Sequence, residues 1–254
     1  MHNYYLLYQL VKRDIKMSFA GSMFGTLWMF LNPLLMTGIF YLIFQHIVRA
    51  RFPIDATEGA SYTVYLLTGL AFWNGFSQSL IRGMNSITDN AYLLKKTAVP
   101  PYLFVLASTI TGFIYTFVSL GYALLLKDFP QSLTHLIPLI PVLMVELCFV
   151  AGLTLILGSL CVYVRDISQI VSTLLSFVFY SLPIIYPVSY VPEPLKPFLL
   201  FNPLFYMLRN VQTSLLKGYI DLKLFIISLI ISCVSLVLGA LVYKLLKRGF
   251  YDVL

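Results

Sequence analysis

Charge is scarce in this chain of 254 residues. Only 11% of them are Asp, Glu, Lys or Arg, against about a quarter in an ordinary soluble domain. The hydrophobic share is 59% and the mean hydropathy +0.87. A soluble reading requires apolar runs shorter than about 18 residues, and several runs here are longer. Acids are the scarcer sign, 10 against 17 Lys and Arg, which leaves a net charge of +7. Such an excess in a soluble protein points to nucleic acid. In a membrane protein it reflects inner-loop Lys and Arg facing anionic lipid. The long apolar runs select the second meaning, so membrane lipid and not nucleic acid is the expected partner.

The usual marks of catalysis are also missing. No G-x-x-x-x-G-K-[ST] loop occurs, so ATP is not bound here in the Walker manner. H-E-x-x-H and G-x-S-x-G are absent. His2, His46 and His135 lie far apart and have no metal-ligand spacing. Cys148, Cys161 and Cys233 stand in apolar surroundings and read as small buried hydrophobes. Asp89 and Asp166 are the sole acids in the inner breaks between runs, too few for the grouped acids of a membrane transferase. We therefore expect no catalytic residue, no metal and no cofactor in this chain. A signal-peptide pattern is missing too: Lys12, Arg13 and Lys16 precede an apolar run that is too long and has no cleavage site. That run reads as a retained first span.

What is present is an all-α membrane pattern. Residues 1–26 place Tyr4, Leu6, Leu7, Leu10, Val11, Ile15 and Phe19 at helical spacing, with Gln9, Lys12, Arg13, Asp14 and Lys16 opposite. This predicts an amphipathic helix lying in the inner interface. Six transmembrane helices are expected, at about 27–48, 62–84, 102–126, 133–160, 170–186 and 222–243, all within a single transmembrane domain over 1–254. Pro33 should kink or break the first and face protein. Residues 188–221 hold Pro192, Pro194, Pro197 and Pro203 between apolar pieces too short to cross. They predict two short helices dipping into or lying on the outer leaflet, the second beginning at Asn202-Pro203 with Asn as cap.

An even number of spans puts both termini on one side. With cytosolic termini the inner set of basic residues numbers ten: Lys12, Arg13, Lys16, Arg82, Lys95, Lys96, Arg165, Lys244, Lys247 and Arg248. The outer set is seven: Arg49, Arg51, Lys127, Lys196, Arg209, Lys217 and Lys223. The bias favours cytosolic N- and C-termini. Residues 85–101, N-S-I-T-D-N-A-Y-L-L-K-K-T-A-V-P-P, then form an inner amphipathic break where another protein can grip. Arg165-Asp166 is a second inner break. Glu146 is a carboxylate inside a predicted span, which calls for a partner, a wet cavity or a function, unless it lies near enough to the outer surface to be hydrated. Trp28, Phe30, Tyr41, Phe44, Phe72, Trp73, Phe177, Phe179 and Tyr180 also fall within spans. As a set they suit sugar rings, which take stacking and hydrogen bonds together; singly, each is equally an ordinary packing residue.

Five motifs in order carry a resemblance across nearly the whole chain. They are W-x3-N-P at 28–33, N-A-Y-L-L-K-K-T-A-V-P at 90–100, V-R-D-I at 164–167, P-I-I-Y-P at 183–187 and N-P-L-F-Y at 202–206. The chain resembles the permease subunit of an ABC-2 type exporter, in the branch moving O-antigen, capsule or teichoic-acid-type polysaccharides. The resemblance implies a homodimer paired with two copies of a separate ABC ATPase subunit, which would hold the ATP and Mg. It implies ATPase coupling through Asn90, Tyr92, Leu93, Leu94, Lys95, Lys96, Arg165 and Asp166. It implies a lipid-linked polysaccharide moving through a channel in the bacterial cytoplasmic (inner) membrane, with Trp28, Phe30, Tyr41, Phe44, Phe177 and Tyr180 as lining candidates. Arg82, Lys95, Lys96 and Arg165 are candidates for a lipid headgroup, and Glu146 for bracing the bundle. The rival readings are an ABC-2 exporter of a small drug or lipid, a membrane enzyme acting on polyprenyl-linked sugar, and a purely structural membrane subunit.

Overall fold

The computed structural model describes residues 2–43, 61–97, 99–126 and 131–253. All regular structure among them is helical. Helix α1 (His2–Ser18) is amphipathic as expected and packs along α5. A turn with Gly21 at φ 78° leads through a 3-10 turn, Gly25–Leu27, into α2 (Trp28–Leu42). Pro33 is buried and does not break α2, which runs through it.

Helix α3 (Tyr62–Asp89) starts at Ser61, whose hydroxyl accepts from the Val64 N–H at 3.4 Å. Its 28 residues run well past the expected inner end. After Asn90 comes the short α4 (Ala91–Lys96), then α5 (Pro101–Leu126) and α6 (Leu136–Cys161). α3 and α5 are the most closely joined pair, and glycine makes the approach possible. A Cβ on Gly112 would lie 2.5 Å from the Ser79 backbone.

Helix α7 (Asp166–Ser181) ends earlier than the fifth expected span. Pro183 and Pro187 keep the following segment out of helix, and its carbonyls are satisfied from neighbouring helices. Tyr65 Oη donates to the Pro183 carbonyl at 2.9 Å, Tyr62 Oη to that of Ile185 at 2.9 Å, and Gln212 Nε2 to Pro183 at 3.2 Å. Then come α8 (Lys196–Phe201) and α9 (Pro203–Lys217). Asn202 caps α9 by accepting from Leu204 N at 3.0 Å, and Gly218, at φ 77°, ends it. α9 does not lie on the bundle: most of its residues are buried among α3, α6 and α10. α10 (Leu222–Leu246) begins under an Asp221 cap, and α11 (Phe250–Val253) closes the described chain. Cys161 is buried, but Cys148 and Cys233 are exposed on α6 and α10, contrary to the expectation for these two.

The expectation of six transmembrane helices is overturned. Among the described residues three helices are long and apolar enough to cross a membrane: Pro101–Leu125, Leu133–Cys161 and Leu222–Gly249. α3 has the length but carries Asn74, Gln78, Arg82 and Asn85 together with several hydroxyls. These four form a half-buried polar stripe, on which Arg82 bonds to Ser18 and Asn85 to the Ile81 carbonyl. α7 has 16 residues and opens with Asp166, Ser168 and Gln169. At the first expected span the apolar helical stretch is Gly25–Phe40, and the remainder, from 44, lies outside the described residues.

Candidate coupling surface and channel wall

Asn90 makes the corner between α3 and α4. Its N–H and Nδ2 both donate to the Ser86 carbonyl, at 3.2 and 2.8 Å, and its carbonyl accepts from Leu94 N at 3.0 Å. Its Oδ1 accepts from Arg13 Nη2 at 2.6 Å, which joins α1 to the same corner. Six residues are too few for a helix to be stable alone, and α4 is held by what it buries. Leu94, 2% exposed, enters a buried cluster with Ile87, Phe104, Val105, Leu155, Val162 and Phe250. Thr97 closes the helix, its N–H and Oγ1 both donating to the Leu93 carbonyl at 2.9 and 2.8 Å. The outer face holds Tyr92, Lys95 and Lys96, all exposed, with Lys96 Nζ 4.2 Å from the Tyr92 ring centroid and donating to its hydroxyl.

Arg165 and Asp166 are exposed at the start of α7. The cluster behind Leu94 includes Val162, so the turn leading to Arg165 shares the foundation of α4. Tyr163 Oη, on that turn, donates to the Leu246 carbonyl at 2.7 Å. The expected coupling residues therefore divide by role. Tyr92, Lys95, Lys96, Arg165 and Asp166 are presented outward, Leu93 is half-buried, and Leu94 and Asn90 hold α4 in place.

The structure separates the headgroup candidates. Lys95 and Lys96 are on α4, and Arg165 is on the next turn. Arg82 is half-buried, donating from Nη1 to Ser18 Oγ at 2.7 Å with its guanidinium 5.8 Å from the Tyr115 ring. Arg82 and Arg13 face a groove of about 360 Å³ shared by Asp14, Ser86, Asp89 and Tyr92. Asp89 is exposed overall, yet it lines this groove. Partial desolvation first, and the Asp14 charge second, hold its carboxyl above the ordinary carboxylate range. Periodicity had placed Arg13 and Asp14 only on a polar face; the tie to Asn90 is 77 residues away in sequence and has no local signal.

Of the channel candidates, Phe177 and Tyr180 are exposed on α7 and line a cavity of about 400 Å³ with Ser181, Tyr186, Phe198 and Asn202. Trp28 is half-buried and meets Phe24 edge-on at 5.9 Å, and Phe30 is exposed. These two do not join that cavity, although α2 and α7 touch through Phe40 and Phe179, ring centroids 5.8 Å apart. The Tyr41 side chain and Phe44 lie outside the described residues. Glu146 is fully buried in α6, which excludes a surface-hydrated position, and neither carboxyl oxygen has a hydrogen-bond partner among the described residues. Among those residues no three His, Cys, Asp or Glu gather into a metal-binding group.

A bundle of apolar helices with an amphipathic N-terminal helix and an outward-facing short helix is the build of a transporter subunit. The chain matches the ABC-2 type transporter family over residues 5–216 and belongs to it. It is a multi-pass membrane permease related to O-antigen and polysaccharide export systems. It is 28% identical over 254 residues to the O-antigen export system permease protein RfbA of Klebsiella pneumoniae, covering 98% of this chain and 95% of that protein. The protein of the same description from Myxococcus xanthus is 31% identical over 211 residues, 82% of this chain and 78% of the relative. The polysialic acid transport protein KpsM of Escherichia coli is 22% identical over 215 residues, 84% and 81% of the two chains.

Proposed function

We propose that this chain is the channel-forming subunit of an ABC exporter that moves a lipid-linked polysaccharide across the bacterial inner membrane. Two copies pair, and two separate ATPase subunits bind and hydrolyse ATP with Mg on the cytosolic side, where both termini lie. The observation that carries the reading is α4, a knob fixed inward by Leu94 that offers Tyr92, Lys95 and Lys96 outward beside Arg165 and Asp166. Movement imposed there passes through Asn90 into α3 and through Arg13 into α1. Tyr180 and Phe177, with Phe30 and Trp28 on α2, supply stacking faces for sugar rings, and the phenol adds a hydrogen-bonding group. Lys95, Lys96, Arg82 and Arg165 attract the pyrophosphate of a carrier lipid. The chain itself performs no covalent chemistry.

The test is co-expression with an ABC ATPase subunit and affinity purification through this chain. Deleting residues 93–97 should abolish co-purification, whereas retention of the ATPase would overturn the coupling role. Cells lacking the chain should accumulate undecorated lipid-linked polymer inside. If they accumulate none, the polymer is not the cargo.

A further inference from the structure

A second cavity near the cytosolic ends of the helices has no place in that account. It holds about 510 Å³ between the first turn of α5 and the inner end of α10, lined by Pro100, Pro101, Tyr102, Tyr243, Lys247, Arg248 and Tyr251. Lys247 and Arg248 are exposed, and among the described residues they form no ion pair and no carboxylate lines the cavity. The aromatic wall is ordered. Tyr102 and Tyr243 meet edge-on with centroids 6.1 Å apart, Lys247 Nζ lies 5.9 Å from the Tyr243 ring, and Tyr102 Oη accepts from Asn3 Nδ2 at 3.2 Å. Because Tyr102 Oη is an acceptor there, its own proton is left to donate. The 26-residue α5 also turns the positive end of its dipole toward this cavity.

Two exposed cations, phenol donors and a helix N-terminus converge on one opening, and each favours an anion with several acceptor oxygens. The surroundings identify its carrier. α10 presents an exposed apolar face that includes Leu238, Leu241 and Leu245, the last 76% exposed and three residues before Arg248 of the cavity lining. Tyrosines with Lys and Arg at the end of an apolar helix mark the membrane–water boundary. A group bound here would have its apolar part beside α10 and its charge in the cavity. We infer that this cleft binds the phosphate of an anionic membrane lipid, at a site distinct from α4 and from the aromatic wall of α7.

The purified full-length chain, in detergent with equal phosphatidylglycerol and phosphatidylcholine, should retain phosphatidylglycerol in excess when bound lipid is counted by native mass spectrometry. Each cation near a charged surface contributes roughly fivefold. A Lys247→Gln/Arg248→Gln variant should therefore lose about twentyfold or more of that preference, while the charge-conserving Lys247→Arg/Arg248→Lys keeps it. Should the glutamine pair fail to fold, Tyr102→Phe/Tyr251→Phe reads the same preference and should lower it. An unchanged preference in a folded glutamine variant, or in the phenylalanine variant where that one serves, overturns the site. Inorganic phosphate raising the thermal midpoint as much as phosphatidylglycerol would assign the cleft to a free anion. Loss of a co-purifying ATPase with lipid preference intact would assign it to a protein partner; either result overturns the inference.

Discussion

Leu94 is a single side chain on which the placement of α4 depends. It is buried in a cluster fed by α3, α5, α6 and α11, whereas its neighbours Tyr92, Lys95 and Lys96 bury little. Truncation to alanine should cost about 3 kcal/mol, expressed as loosening of α4 before any wider unfolding. Leu94→Ala should therefore become susceptible to protease between α3 and α5, and Leu94→Met should not. The groove beside it has a pH dependence whose sign can be worked out. Asp89 faces Arg13 and Asp14 of α1, Arg82 of its own helix and Tyr92 of α4, and its carboxyl is raised in the folded protein. A raised carboxyl contributes stability that is fully present below the unfolded value of about 3.9 and lost as pH climbs through the folded value. Protection of α1 from protease should thus weaken as pH rises through that window. Asp89→Asn should flatten the profile; an unchanged profile in Asp89→Asn would show that Asp89 is not the source.

At the level of elements, glycines decide how close α3 and α5 can come. A Cβ on Gly112 would meet Ser79 backbone at 2.5 Å, whereas one on Gly121 of the same helix meets nothing within 4 Å among the described residues. Gly112→Ala should lower stability by about 1–3 kcal/mol, as overpacking does. Gly121→Ala should raise it by about 0.5–1 kcal/mol through helix propensity. Thermal midpoints of the two variants in one detergent would compare them directly. Hydropathy made α5, α6 and α10 legible because lipid or apolar neighbours surround them evenly. It misjudged α3, where Asn74, Gln78 and Arg82 form a half-buried polar stripe on an otherwise buried helix, a placement that resides in the neighbours and not in the window. α9, too short to cross, is buried by packing among α3, α6 and α10, which a hydropathy window does not report. Local chemistry was read well where the cause is local. The Asn202-Pro203 start of α9 rests on a contact two residues away. The Arg13–Asn90 bond, the Arg82–Ser18 bond and the cavity under α10 join segments far apart in sequence, and no periodicity reports them.

Across the whole molecule, the proposed drive enters at α4, and besides the Leu94 cluster two routes leave from Asn90. One is covalent, through Asn90 into α3, which touches α2, α5, α6, α7 and α9. The other is the Arg13–Asn90 hydrogen bond at 2.6 Å into α1, which packs along α5 and is held again by Arg82 on Ser18. A charge-assisted bond of this kind is worth about 1.5–3 kcal/mol. That is enough to decide whether α1 follows α4 or stays behind. The two routes separate experimentally, because Arg13 bonds the corner residue Asn90, whereas Lys95 and Lys96 are exposed on α4 itself. Arg13→Ala should leave ATPase co-purification intact and lower export per assembled complex roughly tenfold. Lys95→Glu/Lys96→Glu should instead lose the ATPase itself. If Arg13→Ala exports at the full rate, α1 is a passive strap over α5, and the movement is carried without it.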